Sequence, residues 1–195
     1  MPDPTFKIDS TTVLSKSGTT VSLDSGVSLS NSAGAGLYFI KKGSVSSASS
    51  ISITDCFSSS YDIYKLFVTL GTWTTSSGYL KGQFIKSDGT TESGSIYNSR
   101  AMTISSGSDE VSNFNNNTTF LQLCYNGNTI LDVIGGEVTI INPFNSHKTV
   151  AFGHVRDNFD QFGGSVNSTT SYTGFLISTS TSTMSCTVSV FGIKN

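Results

Sequence analysis

The densest group of potentially reactive side chains lies in a short stretch of the second half of the chain. His154, one of only two histidines, is followed by Arg156, Asp157 and Asp160. A histidine beside carboxylates can form a proton-transferring unit or contribute to a metal site. The same residue types also form hydrogen-bonded polar patches in loops, for example at the mouth of a β-sandwich. We favour this last interpretation and predict a polar loop cluster made of these four residues.

No catalytic motif accompanies the cluster. The sequence has no Gly-x-Ser-x-Gly elbow, no His-Glu-x-x-His zinc motif and no phosphate-binding glycine loop. Asp109 and Glu110 are adjacent, but neighbouring side chains of an extended chain point to opposite faces, so without a turn they cannot act as a pair. We therefore predict that the protein is not an enzyme, with no catalytic residue, no metal and no cofactor.

Aromatic residues near strand ends point instead to surface recognition. Sugars are bound by aromatic faces together with amide, carboxylate and backbone hydrogen bonds. Trp73 is the strongest candidate, because it lies in a hydroxyl-rich segment with a glycine on either side. Tyr79, Tyr97 and Phe114 are the further candidates for contact with a glycan or receptor. For any single ring, packing in the core or between subunits is the competing interpretation.

Three widely spaced cysteines give little sign of special chemistry. Cys56, Cys124 and Cys186 form no Cys-x-x-Cys pair and no cluster with histidine, so a structural zinc site is not expected. Each lies in an apolar or hydroxyl-rich context, which favours small core residues over reactive thiols. One disulfide between two of them remains open.

Charge and hydropathy exclude several classes of partner. Charged residues are only 12% of the chain, the net charge is −2, and Ser and Thr together make up roughly a third of it. There is no basic field for nucleic acid and no apolar run long enough to span a membrane. The first residues lack the basic start and apolar stretch of a secretory signal. We therefore expect synthesis in a cytoplasm, no nucleic-acid partner and no membrane insertion.

The elements that position these residues are predicted to be strands. The segment 64–70 alternates apolar and polar residues and then becomes mostly apolar, which is typical of a strand buried on one face and partly on both. Further strands are predicted at 37–40, 79–86, 95–104, 118–125, 129–134, 137–141, 149–154, 171–178 and 184–194. Turns are predicted at 41–43, 87–90, 126–128, 135–136, 142–145 and 163–164, and a polar loop at 113–119.

No window shows a convincing helical repeat, and eight or nine strands recur at roughly ten-residue spacing. The predicted fold is all-β, an antiparallel jelly-roll-like β-sandwich over residues 37–195. Residues 1–36 form a separate N-terminal ribbon, whose short apolar and hydroxyl alternations at 12–15, 20–23 and 26–30 are each too short to be stable alone. We predict an attachment or oligomerisation arm, wound with other copies as a stem. A loose tail is the alternative.

Three short motifs resemble those of small tail-fibre or virion structural proteins of tailed bacteriophages, in particular marine and cyanobacterial phages. They are the leader SGTTV…SGVSL at 17–29, the core opening YDIYKL at 61–66, and the closing strand CTVSVFGIKN at 186–195. The last has Phe191 where tyrosine is commoner. The resemblance implies a β-rich, usually trimeric appendage without a cofactor, and it supplies no catalytic residue. Many tail fibres have a much longer shaft, so the attachment point (tail, fibre tip or capsid surface) stays open.

Together these observations predict a homotrimeric, non-enzymatic structural protein of a phage virion, assembled on the particle. The arm 1–36 would contact other virion proteins, and the sandwich would contact a host-surface polysaccharide. A capsid decoration protein or capsid fibre is the near alternative. A free-standing lectin-like module is the alternative from another class, and a capsule-degrading enzyme ranks third.

Overall fold

A computed structural model of the chain describes residues 5–8, 11–17, 20–23, 36–73, 78–103, 111–126, 134–155, 161–180 and 182–194. The chain divides into two compact units, Met1–Gly34 and Ala35–Asn195. The described residues contain strands and no helix, and every strand pair is antiparallel. This confirms the all-β prediction.

The first unit holds a three-stranded antiparallel sheet. Its strands are β1 (Thr5–Ile8), β2 (Thr11–Ser17) and β3 (Thr20–Leu23), paired in the order β1-β2-β3. Strands were predicted at 12–15 and 20–23, and both are confirmed. The sequence pattern missed β1, and the predicted segment 26–30 lies outside the described residues.

The second unit is built from two sheets. Its strands are β4 (Leu37–Ala48), β5 (Ser50–Ile53), β6 (Ile63–Trp73), β7 (Gly78–Lys86), β8 (Tyr97–Thr103), β9 (Val111–Thr118), β10 (Leu121–Asn126), β11 (Ile134–Ile141), β12 (Thr149–Val155), β13 (Gln161–Val166), β14 (Tyr172–Thr179) and β15 (Met184–Ile193). The long sheet has the order β4-β15-β6-β11-β12-β13-β8-β9, and the short sheet has the order β10-β7-β14-β5.

The two sheets enclose one hydrophobic core, as a β-sandwich requires. Eight strands form the part of the sandwich in which the sheets face each other: β4, β6, β11 and β15 in the long sheet and β5, β7, β10 and β14 in the short sheet. Along the chain, successive members of this set change sheet at every step except from β7 to β10, which both belong to the short sheet. The β8–β9 and β12–β13 pairs widen the long sheet at one side. The finer assignment to a jelly roll remains a prediction.

Strand β6 shows how the sequence produces this core. Tyr64, Leu66, Val68 and Leu70 are all buried, because residues two apart on a strand point to the same face. Neighbours β15 and β11 place Val190 and Val138 beside Leu66 in register. The segment chosen from its alternation is therefore a central strand of the long sheet.

Several predicted turns and loops are strands instead. The residues 41–43 lie inside β4, 135–136 inside β11 and 163–164 inside β13, and the polar loop 113–119 is mostly β9. Gly136 and Gly164 are needed because neighbouring backbones approach them closely. A Cβ on Gly136 would lie 2.2 Å from the His154 carbonyl oxygen, and one on Gly164 would lie 2.6 Å from the Asn98 carbonyl oxygen. The segments in β9 and β13 are strands that were not predicted, whereas 41–43 and 135–136 lengthen strands that were.

The turn predicted at 87–90 is confirmed. Gly89 has a φ of +79°, and its N–H donates to the Lys86 carbonyl oxygen at 3.0 Å. Asp88 accepts a hydrogen bond from the Thr90 backbone N–H at 2.9 Å. The Asp-Gly pair therefore forms a tight reversal by the chemistry expected of it.

Candidate functional site

The outward face of the long sheet carries an unusual number of apolar side chains. Strand β15 buries every second residue and turns Phe191 and Ile193 outward, while β6 turns Ile63 and Phe67 outward. Strands β4, β11 and β12 continue the pattern on both sides. We call the nine outward residues the apolar band: Leu37, Phe39, Ile63, Phe67, Ile141, Val150, Phe152, Phe191 and Ile193.

Three phenylalanines form one end of the band, nearest the edge strand β4. The Phe191 ring lies 5.6 Å from Phe39 and 5.5 Å from Phe67, centroid to centroid, with interplanar angles of 69° and 82°. This edge-to-face geometry is favourable and holds the rings in place. Yet Phe39 is 61% exposed and Phe67 is 38% exposed. The cluster is therefore ordered but only half covered by its own chain.

A row of aliphatic side chains runs across five strands beside the phenylalanines. Ile193 pairs in register with Leu37 on one side and Ile63 on the other. Ile141 likewise pairs with Ile63 and with Val150. Leu37 and Val150, at the ends of the row, are 50% and 38% exposed. The row makes the band continuous from β4 to β12.

The exposed apolar area lies within the range of the largest surface patch on a typical monomer. Five members stand out to solvent, namely Leu37, Phe39, Phe67, Val150 and Phe152. At about 150–200 Å² for each fully exposed large side chain, they leave about 400 Å² of apolar surface in water. Typical monomers have a largest patch of roughly 300–600 Å², which is often functional. The four half-buried members add to the area, so the band indicates an interaction surface.

Charge within the band is balanced. Lys65 Nζ contacts Glu137 Oε1 at 2.9 Å, and both side chains are about one-third exposed. The pair lies between the phenylalanine cluster and Phe152, which pairs in register with Thr139 next to Lys65. This pair is neutral, and a further positive charge lies at the margin of the band, where exposed Lys42 pairs in register with Ser189 next to Phe67.

The opposite outer face, on the short sheet, is mostly polar. Its outward residues include Ser50, Ser52, Lys81, Gln83 and Ser178. Tyr79 and Leu176 also point outward there, so the described outer face of the short sheet is mixed but mainly polar. The low charge of the whole chain therefore does not by itself account for the apolar band, because the outer face of the short sheet does not share it.

The sheet edges are protected against pairing with other chains. Edge strand β4 carries Lys41 and Lys42, and its pairing with β15 has two irregularities of the β-bulge type. Strand β5 is only four residues long, and β9 carries consecutive asparagines. Strand β10, the other edge of the short sheet, contacts β8, β12 and β13. Lysines, bulges and short strands are the usual means of preventing edge-to-edge association.

Two of the four predicted glycan-contact residues are buried. Trp73 ends strand β6 instead of lying in a loop, and its Nε1 donates to Ser182 Oγ at 3.0 Å. The Tyr97 hydroxyl donates to the Glu92 carbonyl oxygen and accepts from the Phe84 N–H, each at 3.0 Å. Both rings are fully buried, so neither presents a face to a sugar in this structure. Their polar atoms are satisfied inside the chain, which is the physical reason that they can lie in the core.

The other two candidates give less information. Tyr79 lies at the start of β7 on the outer face of the short sheet and is 36% exposed. Phe114 lies on β9, but its side chain is outside the described residues. The structure therefore does not bring these four residues into one site.

The predicted polar cluster is described only in part. His154 is exposed on the outer face near the end of β12, opposite Glu137 in register. Arg156, Asp157 and Asp160 lie outside the described residues. Among the residues that are described, no group of three or more His, Cys, Asp or Glu side chains could hold a metal ion.

All three cysteines are free and buried, as the core interpretation predicted. Burial raises the pKa of Cys56 to about 12, and its Sγ donates to the Ile53 carbonyl oxygen at 3.3 Å. Burial alone raises the pKa of Cys186 to about 12. Because the thiolate is the reactive form, these cysteines are structural.

Comparison of the chain with models of known protein families and with curated proteins finds no match. Within the described residues, no helix is both long and apolar enough to cross a membrane.

The sequence analysis missed the apolar band, although a signal for it was present. The segments 37–40 and 63–68 are apolar at odd and even positions alike. One parity fills the core, so the other must lie on an outer surface. Strands that are apolar on both sides are typical of sheets whose two faces are both covered. Such a strand in a sandwich therefore indicates that a partner covers the outer face of the sheet.

Proposed function

We propose that the protein is a non-enzymatic, homo-oligomeric structural protein whose copies associate through the apolar band. The observation that carries this proposal is the continuous apolar surface on one face of the sandwich. The opposite face is mainly polar and the sheet edges are protected. Burial of such a surface is the main driving force of stable association between subunits.

A second copy of this chain is the occupant that best suits the band. A standard interface takes about 800 Å² from each partner, and the roughly 400 Å² of exposed band would form its apolar centre, with polar residues around it as the rim. The Lys65–Glu137 pair is neutral, so it does not oppose the packing of the band against a second copy, and Lys42 would lie at the polar rim of that contact. The protected edges favour a closed assembly over an open fibre of paired sheets.

The assignment to a phage virion rests on the resemblance of the three sequence motifs. On that reading the protein is a tail-fibre-type or particle-surface appendage, trimeric, located on the virion and attached to other virion proteins through residues 1–36. Contact with a host-surface polysaccharide belongs to the same proposal. A capsid decoration protein or capsid fibre would use the same sandwich and interface, and labelling of the assembled particle would separate the two positions.

The alternation of strands between the two sheets supports the jelly-roll assignment. The orders β4-β15-β6-β11 and β5-β14-β7-β10 are those that two interlocked Greek keys generate in an eight-stranded double sheet. The pairs β8–β9 and β12–β13 would then be insertions on one side.

Oxidative footprinting tests the interface directly. Hydroxyl radicals label exposed aromatic rings, and mass spectrometry reports labelling of Phe39, Phe152 and Tyr79 at several protein concentrations. We expect Phe39 and Phe152 to become protected as the concentration rises, while Tyr79 on the short sheet keeps constant labelling. Equal labelling of all three rings at every concentration would refute the proposed interface.

A truncated protein tests the role of residues 1–36. The mass of full-length protein in solution is compared with that of residues 37–195, which hold both sheets of the sandwich. If the arm is an intertwined stem, truncation weakens the assembly without abolishing association through the band. Unchanged association would assign the arm to attachment alone.

A further inference from the structure

A small pocket lies at the end of the sandwich where β6 begins and β15 ends. Its volume is about 220 Å³, and it is lined by Ser59, Ser60, Tyr61, Asp62, Ile193 and Lys194. This is below the roughly 300–1,000 Å³ of a typical drug-sized site, so the pocket can take about one sugar-sized ring. None of its lining residues was predicted as a binding residue from the sequence.

The turn that forms the pocket is held in place by a buried tyrosine. The Tyr64 hydroxyl donates to the Ser58 carbonyl oxygen and accepts from the Ser58 N–H, both at 2.8 Å. Tyr64 itself is fully buried in β6. At the other end of the turn, the Asn142 N–H donates to the Asp62 carbonyl oxygen at 2.7 Å. The pocket is therefore formed before any ligand arrives, which lowers the entropic cost of binding.

One wall of the pocket is an aromatic ring fixed from several sides. The Tyr61 ring covers Gly192 so closely that a Cβ there would lie 2.5 Å from Tyr61 Cγ. Its centroid is 5.9 Å from those of Tyr38 and of Tyr64. Tyr61 remains partly exposed and lines the cavity. Fixed aromatic side chains of this kind give a ligand apolar contact at little entropic cost.

The polar groups around the ring are largely unused. Asp62 Oδ1 accepts a hydrogen bond from Asn145 Nδ2 at 2.8 Å, which orients the carboxylate and leaves Oδ2 available. The exposed side chains of Ser59, Ser60 and Lys194 make no hydrogen bond to any described residue. Two serines, one carboxylate and one lysine therefore line the pocket together with an ordered ring.

We propose that this pocket binds one pyranose ring of a neutral saccharide. Vicinal sugar hydroxyls both donate and accept, so they can bond to the Asp62 carboxylate and the Lys194 ammonium at the same time. A free anion would be opposed by Asp62 and a free cation by Lys194, and a single carboxylate is too few ligands for a hard metal ion. The Tyr61 ring supplies the apolar contact for the sugar carbons.

The saccharide site deepens the proposed contact with polysaccharide by naming residues for it, but it does not require self-association. Of the residues that line the pocket, only Ile193 belongs to the apolar band, and the three phenylalanines of the band lie outside the pocket. A variant that dissociates the oligomer, such as Phe39→Asp, should therefore keep the saccharide affinity. The oligomeric state and the saccharide affinity of this variant therefore show separately whether the proposed interface or the proposed pocket is wrong.

Ligand-observed NMR titration of the full-length protein tests the pocket. The probes are the methyl α- and β-glycosides of glucose, galactose, mannose and N-acetylglucosamine, for which we expect saturable binding of about millimolar affinity to at least one. Asp62→Asn keeps the shape and Oδ1 but replaces the Oδ2 acceptor, and Lys194→Met keeps the length. Each should weaken binding about tenfold or more.

Asp88→Asn is the matched control, because Asp88 is also an exposed turn carboxylate and its side chain contacts Thr90. It should leave the affinity unchanged. Absence of saturable binding by every glycoside would overturn the proposal. Binding that survives both pocket variants, or that is lost equally in the Asp88 variant, would also overturn it.

Discussion

The most informative single substitution in the apolar band is Phe39→Asp. Phe39 is 61% exposed in one chain, which corresponds to about 120 Å² of a side chain of roughly 200 Å². At about 25 cal/mol per Å², its burial by a second copy contributes about 3 kcal/mol. Loss of that burial weakens association about 100-fold, and the cost of desolvating a carboxylate adds to this.

The fold of a single chain should tolerate the change. Phe39 lies on the edge strand β4 and contacts Phe191 edge to face, a contact that contributes about 0.5–1.5 kcal/mol. The substitution removes no residue of the core between the sheets. We therefore expect the free energy of unfolding of the dilute protein to fall by about 1 kcal/mol, which a urea titration would measure.

Sedimentation equilibrium over a range of concentrations measures the association constant of the wild type and of the variant. Ser52→Asp is the matched control, since it adds the same charge to an exposed strand position on the polar face of the short sheet. An association constant that Phe39→Asp leaves unchanged, or that Ser52→Asp lowers equally, would refute the reasoning.

Three other predictions concern the core. Because burial raises the pKa of Cys56 and of Cys186 from 9.0 to about 12, the neutral thiols stabilise the fold fully below about pH 9, and this contribution is lost as the pH rises towards 12. The melting temperature measured against pH should show that decline. A thiol reagent should label neither cysteine at neutral pH until the protein unfolds. Rapid labelling of the folded protein would contradict the burial of these thiols. Gly136→Ala should prevent or severely impair folding, because the new Cβ would lie 2.2 Å from a backbone atom. Gly163→Ala should be tolerated, because its Cβ meets no atom within 4 Å. Circular dichroism and the melting temperature compare the two variants, and equal effects would be inconsistent with the register of β11 and β13. Trp73→Phe should destabilise the fold by about 1–3 kcal/mol in a urea titration, because the hydrogen bond to Ser182 is lost and the new ring is smaller. Binding of the methyl glycosides should not change. Loss of binding without loss of stability would restore Trp73 as a contact residue.

The strands with a simple alternation were predictable from the sequence, and those whose neighbours decide their structure were not. Strand β6 was found because Tyr64, Leu66 and Val68 recur at every second position. Gly136 and Gly164 looked like turn residues, because only the register of the adjacent strands reveals that their missing Cβ makes room for backbone. Strand β9 has almost no apolar residues, since it lies at an edge, and was therefore taken for a loop.

The candidate sites were harder to predict, because residues distant in the sequence decide which side chains are buried and which lie together. Trp73 has hydroxyl-rich neighbours typical of a loop, but Ser182, which is distant in sequence, satisfies its Nε1 inside the core. The pocket beside Tyr61 joins the start of β6 to the end of β15, and no local pattern connects Asp62 with Lys194. Propensity indicates which face of a strand is apolar, but only the assembled sheet shows that Phe39 stands uncovered.

Static light scattering of the full-length protein across a concentration series tests the central claim most directly. Association through the apolar band predicts a defined oligomer, with a mass of three times the 20.6 kDa of one chain for the trimer proposed. A different closed multiple would keep the interface and correct the number of copies. A mass of 20.6 kDa at every concentration would contradict the account.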